Sequence, residues 1–401
     1  MTHNKKLKIA LVIERFDPQG GGAERSTDQM AKELVKRGHR VTVFAGHIPK
    51  NVQVEPYEIR RLWEKKKRSA LGLLAFSKWA SQEISRGDFD ISLSLTTAVA
   101  CDIIEPRSGT IKETLIRNAV TKGKWLGLVK KISDGLSFKR RALLSLEKKV
   151  LHHPHVKCLI ALSSYVEQQV QRHYDFPPEK ITIVPNAASL PTISPTQREA
   201  HRQRLRQEMN LKPETVAFLF AAHNPMLKGA GPLLAALKNL KSQNDDVAII
   251  VAGNPCSKMK RRVAQLDLMD CVRFIGNVSD MAAMYCAVDV TVHPTFYDPS
   301  SKVVIESLMM KVPAISTRYN GASDFIEPVP GHVDYGKLRG RVIDQPDDIP
   351  ALSQAMAQLI DPKERQRCAN DCNALDRGLS MIHHIDRVEE ILYQVDANKK
   401  N

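Results

Sequence analysis

Short apolar runs alternate along the chain with longer stretches whose apolar residues recur every three or four positions. Residues 7–14, 40–45, 91–95, 158–162 and 181–185 read as buried strands. Between them, 23–37 places Met30, Leu34 and Val35 on one face of a helix that Gly38 closes, and 70–86 and 110–151 read as long helical stretches. Residues 187–197 have linker composition, and a charged helix is expected near 198–209. A second series then begins. Strands are expected at 216–221, 247–252, 272–275, 288–293, 312–316 and 341–343, with helices at 230–242, 257–267, 279–285 and 302–310 between them. Strands alternating with helices imply parallel sheets covered on both faces. The predicted organisation is a first α/β domain over 1–186, a linker and connecting helix over 187–209, and a second α/β domain over 210–375. A C-terminal helix over 376–401 is free to pack back on the first domain. Ligands of such domains bind at the carboxyl ends of the strands, which puts the expected site in a cleft between the two.

Charge changes this picture more than composition does. The 401 residues carry a formal net charge of +15, distributed unevenly. Residues 1–185 hold 33 Lys and Arg against 19 Asp and Glu, whereas 186–401 hold 26 against 25. The first half is therefore expected to face something anionic: membrane phosphate, nucleic acid or an acidic substrate. The N-terminal apolar run is too short and interrupted for a secretory signal, and no run of 18 apolar residues predicts a membrane span. Seven scattered cysteines predict a reducing, cytoplasmic setting rather than a disulfide framework.

Three segments carry candidate chemistry. Gly20-Gly21-Gly22 lies between the first strand and its helix, where backbone N–H groups can approach an anion. It lacks GxGxxG spacing, and the second strand ends in Phe44-Ala45-Gly46-His47 with no acid for a ribose, which argues against an NAD site. His223-Asn224-Pro225-Met226-Leu227-Lys228-Gly229 follows the first strand of the second half and offers Lys228 to a phosphate without being a P-loop. His293 to Glu306 is the most specific segment: a strand, a loop with Asp298, then a helix carrying Glu306 eight residues later. Two such carboxylates can accept hydrogen bonds from sugar and ribose hydroxyls. The plainer roles are an ordinary βα turn for the glycines, a helix-opening Lys228, an N-cap for Asp298 and a helix-face charge for Glu306.

Taken in order, the glycine loop 20–25, Pro185-Asn186, Lys228-Gly229 and Asp298-x7-Glu306 followed by Pro313-Ala314-Ile315-Ser316-Thr317 resemble glycosyltransferase family 4. These are retaining nucleotide-sugar enzymes of GT-B fold, two facing Rossmann-like domains. The resemblance implies a nucleotide diphosphate-sugar donor, a glycolipid or saccharide acceptor, and no cofactor or required metal. It implies that Glu306 holds the donor ribose, that Asp298 with the amides of Ser300, Ser301, Lys302 and Val303 holds the transferred sugar, and that Lys228 and His223 meet the diphosphate. Gly21 and Gly22 would lie over donor and acceptor. The chain departs from the family pattern at Asp298, usually Glu; at Pro299, usually Gly; and at His223, usually Arg. It also has Arg107 in Glu105-Pro106-Arg107-Ser108-Gly109, where some members carry a His. Arg107 is grouped with Lys228 and Asp298 as catalytic, holding phosphate or acceptor. These departures leave a second reading open: a GT-B-like protein that binds sugar nucleotide or anionic lipid with reduced or no turnover.

Other segments read as structural. Asp88-Phe89-Asp90 mimics a DxD metal motif but precedes a strand directly; His152-His153-Pro154-His155 lacks metal-ligand spacing; Cys368 and Cys372 have helical spacing and no partner pair. Arg60 to Arg68, running into Leu71, Leu73, Leu74, Phe76 and Trp79, combines basic and apolar residues as an anionic membrane surface would require. Lys122, Lys124, Trp125, Lys130 and Lys131 extend the basic character. A nucleic-acid partner is not expected, because no nucleic-acid fold signature appears. The protein is thus expected in the cytoplasm, peripheral on the inner face of the plasma membrane.

Overall fold

The computed structural model describes residues 5–49, 55–63, 70–121, 123, 137–242, 246–254, 256–330, 334–375 and 378–399. The chain forms two compact units, one comprising 1–186 with 381–401 and the other 187–380.

In the first unit a seven-stranded parallel sheet has the order β3-β2-β1-β4-β5-β6-β7. The strands are β1 (Lys8–Arg15), β2 (Arg40–His47), β3 (Glu58–Trp63), β4 (Ile91–Ser94), β5 (Ile103–Ile104), β6 (Cys158–Ala161) and β7 (Ile181–Ile183). Its described helices are α1 (Gly22–Lys36), α2 (Ala70–Arg86), α3 (Ile111–Val120), α4 (Phe138–Leu151) and α5 (Ser164–Tyr174). Central β1 has both faces covered, so its residues from Ile9 to Ile13 are all buried, which is why the sequence shows an unbroken apolar run rather than alternation.

The second unit holds a six-stranded parallel sheet, β10-β9-β8-β11-β12-β13. Its strands are β8 (Val216–Ala221), β9 (Val247–Ala252), β10 (Val272–Gly276), β11 (Val290–Val292), β12 (Ala314–Thr317) and β13 (Gly340–Ile343). The helices are α6 (Pro195–Glu208), α7 (Ala230–Lys241), α8 (Ser257–Gln265), α9 (Met281–Ala287), α10 (Lys302–Met309), α11 (Ser323–Ile326), α12 (Ile349–Gln358) and α13 (Pro362–Asp371).

Two differences from the sequence reading stand out, and the last helix takes the place left open for it. Residues 187–209, linker-like in composition, belong to the second unit. There α6 packs on α9, and buried Arg206 reaches Asp289 at 3.2 Å and the carbonyls of Lys212, Pro213 and Thr215. The last helix, α14 (Met381–Asn398), is part of the first unit. Arg37 grips its Glu389 at 2.6 Å and its Asp386 at 2.7 Å, and His384 Nδ1 lies 2.8 Å from the Pro185 carbonyl. Arg60 to Trp63 form edge strand β3, paired in parallel with β2, instead of a surface segment. Leu62, Trp63, Leu73 and Trp79 pack against a core that includes Phe44 and Phe76, while Leu71 and Leu74 remain exposed. Lys65, Lys66, Lys67 and Arg68 lie outside the described residues, as do Lys122, Lys124, Trp125, Lys130 and Lys131.

Candidate active site

The geometry of the second unit follows from its strand order. β8 and β11 are hydrogen-bonded neighbours, but the chain crosses from β8 toward β9 and from β11 toward β12, on opposite sides. Loops leaving two such strands splay apart and leave a crevice at the strands' carboxyl ends. The loop after β8 carries Lys228, and the loop after β11 carries Asp298. Lys228 Nζ donates to Asp298 Oδ2 at 2.7 Å and to the Tyr297 carbonyl at 2.9 Å. Gly229 permits this closeness. Its φ is +88°, and a Cβ there would stand 2.0 Å from the Pro294 carbonyl oxygen.

The Asp298 loop is held from below. The Asp298 amide donates to the Tyr319 carbonyl at 2.9 Å, and the Gly321 amide to the Asp298 carbonyl at 3.0 Å. Buried Asn320 accepts the Ser301 amide at 3.2 Å through Oδ1, and the Ser300 amide donates to Asp298 Oδ1 at 3.2 Å. Burial would push the Asp298 carboxyl up; the Lys228 ammonium and His293 outweigh it and hold the group well below the usual carboxylate range. Asp298 is therefore an anion here. Pro299 and Ser300 carry the chain to Ser301, which precedes α10, and Lys302, Val303 and Val304 form its first turn. The N–H groups of a first helical turn point out of the helix toward whatever anion approaches.

Glu306 lies one turn further along α10. Its Oε2 accepts from the buried Tyr285 hydroxyl at 3.0 Å, a hydroxyl also 3.0 Å from the Val303 carbonyl. Burial, reinforced by the Glu306 charge, raises the Tyr285 phenol well above its ordinary value, so it stays protonated and acts as a donor. Sequence reading missed Tyr285, because a tyrosine inside the apolar run Met281–Val288 looks like core. It missed the part played by His293 for the same reason: it directly follows a buried strand, and its ring is buried. His223 sits on the surface of the β8–α7 loop.

In the first unit, Gly21 is the N-cap of α1, and its amide donates to Glu24 Oε2 at 2.7 Å. Gly22 is the first residue of that helix. Arg107 is nearly buried. Its Nε donates to Glu105 at 2.6 Å, and one Nη donates to the Ala23 carbonyl at 3.1 Å and to the Ser26 and Thr27 hydroxyls at 2.9 Å each. The expectation that it holds phosphate or acceptor meets a guanidinium already engaged with α1. Burial opposes ionisation of Glu105, but Arg107 and His384 hold its carboxyl down to about 2.

The remaining motifs have structural places. Asp90 accepts the Lys8 amide at 2.8 Å where β1 begins, and His155 lies 3.6 Å from Asp102. All seven cysteines are thiols. Among the described residues no cluster of three His, Cys, Asp or Glu is placed to hold a metal ion, and no helix is long and apolar enough to cross a membrane.

The first unit holds one Rossmann-like parallel sheet; the second holds another, with a lysine–acid pair at its switch point and a second acid on the following helix. Residues 201–372 match the model of the glycosyl transferases group 1, and residues 20–102 and 119–190 match that of glycosyltransferase family 4. The two matches together span most of the chain and mark it as a glycosyltransferase of GT-B fold, similar to those of family 4.

Its relatives include a D-inositol 3-phosphate glycosyltransferase of Pseudarthrobacter chlorophenolicus, 28% identical over 41% of this chain, of whose length the match spans only 40%. A probable transglycosylase of Burkholderia thailandensis is 25% identical over 95% of this chain and 96% of its own. The lipopolysaccharide glucosyltransferase WaaG of Escherichia coli is 20% identical over 79% of this chain and 82% of its own. Among solved structures, WaaG superposes with a TM-score of 0.76 at 18% identity, covering 96% of this chain and 99% of that one. HepE of Anabaena in complex with UDP-glucose gives 0.65 at 16%, covering 97% and 100%.

Proposed function

We propose that this protein is a retaining, metal-independent hexosyltransferase. It moves a sugar from a nucleotide diphosphate-sugar to a hydroxyl of a cell-envelope glycolipid or growing polysaccharide. The observation that carries the reading is the Lys228–Asp298 pair, formed by two different loops at the β8/β11 switch point and followed by Glu306 on α10. A lysine pointing at an acid in a crevice is a site for a ligand that is anionic at one end and rich in hydroxyls at the other. WaaG as a relative, and HepE with UDP-glucose as a structural neighbour, make UDP-glucose the first donor to test.

In this reading Glu306 accepts hydrogen bonds from the ribose, and Tyr285 fixes the carboxylate that does so. Asp298, with the amides of Ser300 to Val303, holds the sugar. Lys228 meets the diphosphate, with His223 beside it. As the bond between the anomeric carbon and the phosphate oxygen breaks, the acceptor oxygen bonds to the same face of the sugar, and its proton passes to the departing phosphate oxygen. Lys228 and the first turn of α10 stabilise the charge left on the diphosphate. Glu306→Gln is expected to weaken donor binding by about 1.5–3 kcal/mol, the worth of a charge-assisted hydrogen bond. The check is calorimetry across UDP-, GDP- and ADP-sugars. Equal affinities in wild type and variant would remove Glu306 from the donor site.

A lipid-linked acceptor also requires the enzyme to meet a membrane, and we assign that contact to the cytoplasmic leaflet. The excess of cations in residues 1–185 and the exposed Leu71 and Leu74 at the start of α2 support it. Each basic side chain near an anionic surface contributes about 1 kcal/mol. Wild type is expected to sediment with anionic, not neutral, vesicles at low salt. Changing Lys65, Lys66, Lys67 and Arg68 to Gln together should reduce that, whereas no sedimentation of wild type would sink the membrane contact.

A further inference from the structure

His293 helps to hold Asp298 ionised, yet its burial makes it an expensive residue for that alone. It follows β11, with its side chain 2% exposed, and its ring lies against Phe220, centroids 6.3 Å apart. Its backbone leaves little choice of direction. The His293 amide donates to the Ile315 carbonyl at 2.8 Å, and the Ser316 hydroxyl donates to the His293 carbonyl at 2.9 Å, tying it to β12. Neither ring nitrogen has a hydrogen-bond partner. A buried polar group without a partner costs stability that a leucine of similar bulk would not. Such a group is retained where another state of the protein uses it.

What faces the ring identifies that state. Nε2 stands 3.4 Å from Asp298 Oδ2, the same oxygen that Lys228 Nζ holds at 2.7 Å. One carboxylate oxygen thus faces two donors, and the nearer is the one that a diphosphate would attract. We infer that His293 is a positioning residue that takes over Asp298 Oδ2 when Lys228 turns toward the donor diphosphate. The inference rests on the donor-site reading of Lys228 and Asp298. In the ligand-free protein Lys228 neutralises Asp298 and the imidazole stands by. With donor bound, the ammonium moves to phosphate, and the neutral imidazole, protonated at Nε2, donates to Oδ2. The carboxylate stays ionised and aimed while Oδ1 and the remaining lone pairs serve the sugar hydroxyls. The exchange involves no net proton transfer. The charged groups bearing on the ring are Asp298, from its own loop, and Lys228, from the loop after β8. Burial lowers the imidazole pKa, Lys228 lowers it further and Asp298 opposes both, so the ring is the neutral donor this role needs.

The exchange can be imitated without any donor. Lys228→Ala removes the competing cation, so His293 should move onto Asp298. In protein with labelled histidine, the His293 ring resonance, assigned by its absence in His293→Gln, should titrate about one unit higher in Lys228→Ala than in wild type. Adding Asp298→Asn should abolish that rise. An unchanged titration in Lys228→Ala would overturn the exchange. The second arm uses UDP-glucose, GDP-glucose and ADP-glucose with their nucleoside diphosphates. His293→Leu should bind the nucleoside diphosphate within about twofold of wild type but transfer sugar at least about tenfold more slowly, and His293→Gln, whose Nε2 can stand where the imidazole Nε2 does, should recover most of the rate. Transfer by His293→Leu at the wild-type rate would also overturn the inference. If wild type turns over none of the three donors, it is the proposed function that fails, and the titration arm still judges the exchange. If His293→Leu does not fold, the titration and His293→Gln decide it.

Discussion

Lys228→Ala is expected to lower the rate of sugar transfer by about 10²–10³, the usual cost of one lost donor to charge that develops in a transition state. A lysine opening a solvated helix would be removed without effect on folding, and from sequence alone the melting temperature should hardly change. The structure alters that second expectation. Lys228 is the closest partner of a largely buried carboxylate, with the two side chains 19% and 14% exposed. Its loss should cost about 1.5–3 kcal/mol of stability in the second unit, because a buried anion is left with one charged donor fewer. His293 limits the damage by supplying another. Steady-state kinetics with a saturating nucleotide-sugar, together with thermal melting, measures both effects. A transfer rate within a few-fold of wild type would return Lys228 to a purely structural role.

The other large effect falls on the first unit. Arg107→Leu should destabilise it by about 3–5 kcal/mol, because the change strands Glu105 as a buried charge without its cationic partner. The side chains of Arg107 and Glu105 are 5% and 1% exposed. All three tryptophans belong to this unit, so urea unfolding followed by their fluorescence reports on it selectively. The pH dependence has a definite sign. Glu105 has a folded-state pKa of about 2 against an ordinary value of 4.5, so the stability it contributes is fully present above about pH 4.5 and lost as pH falls toward 2. In Arg107→Leu the carboxyl is no longer held down and can protonate at milder pH. The gap between variant and wild type should therefore be widest near neutrality and narrow in acid. A variant that unfolds like wild type but no longer uses acceptor would instead restore Arg107 to the catalytic set.

The fold was legible because parallel strands buried on both faces leave unbroken apolar runs. The limits of β8 and β9 fall where the pattern of apolar residues puts them. What escaped was structure with weak local signal. β3 is an edge strand whose Arg60 and Arg61 point to solvent or lie over neighbours, so its composition resembles a basic surface segment; Arg60 in fact stacks over Phe44 at 5.7 Å. β5 has two residues, Ile103 and Ile104, too few for any periodicity. The two acids and Lys228 could be named from the sequence, but the meeting of Lys228 with Asp298 could not, since it depends on β8 and β11 being adjacent in the sheet though about 70 residues apart in the chain. Tyr285 and His293 were invisible for a different reason. Each is a polar atom on an otherwise apolar body, and only the oxygen it faces distinguishes a supporting residue from core. Arg107 shows the converse: a cation in the Glu105–Gly109 turn looked available until its partners Glu105, Ala23, Ser26 and Thr27 were seen around it.

The central claim is retaining transfer from a nucleotide-sugar bound by the second unit. Its most direct test is an NMR time course of purified wild type and Glu306→Gln with UDP-, GDP- and ADP-glucose, water serving as acceptor. Wild type should consume at least one donor and release glucose that first appears in the donor's own α configuration, with Glu306→Gln markedly slower at subsaturating donor. Glucose first appearing as the β anomer, or no donor consumed by wild type, would contradict it.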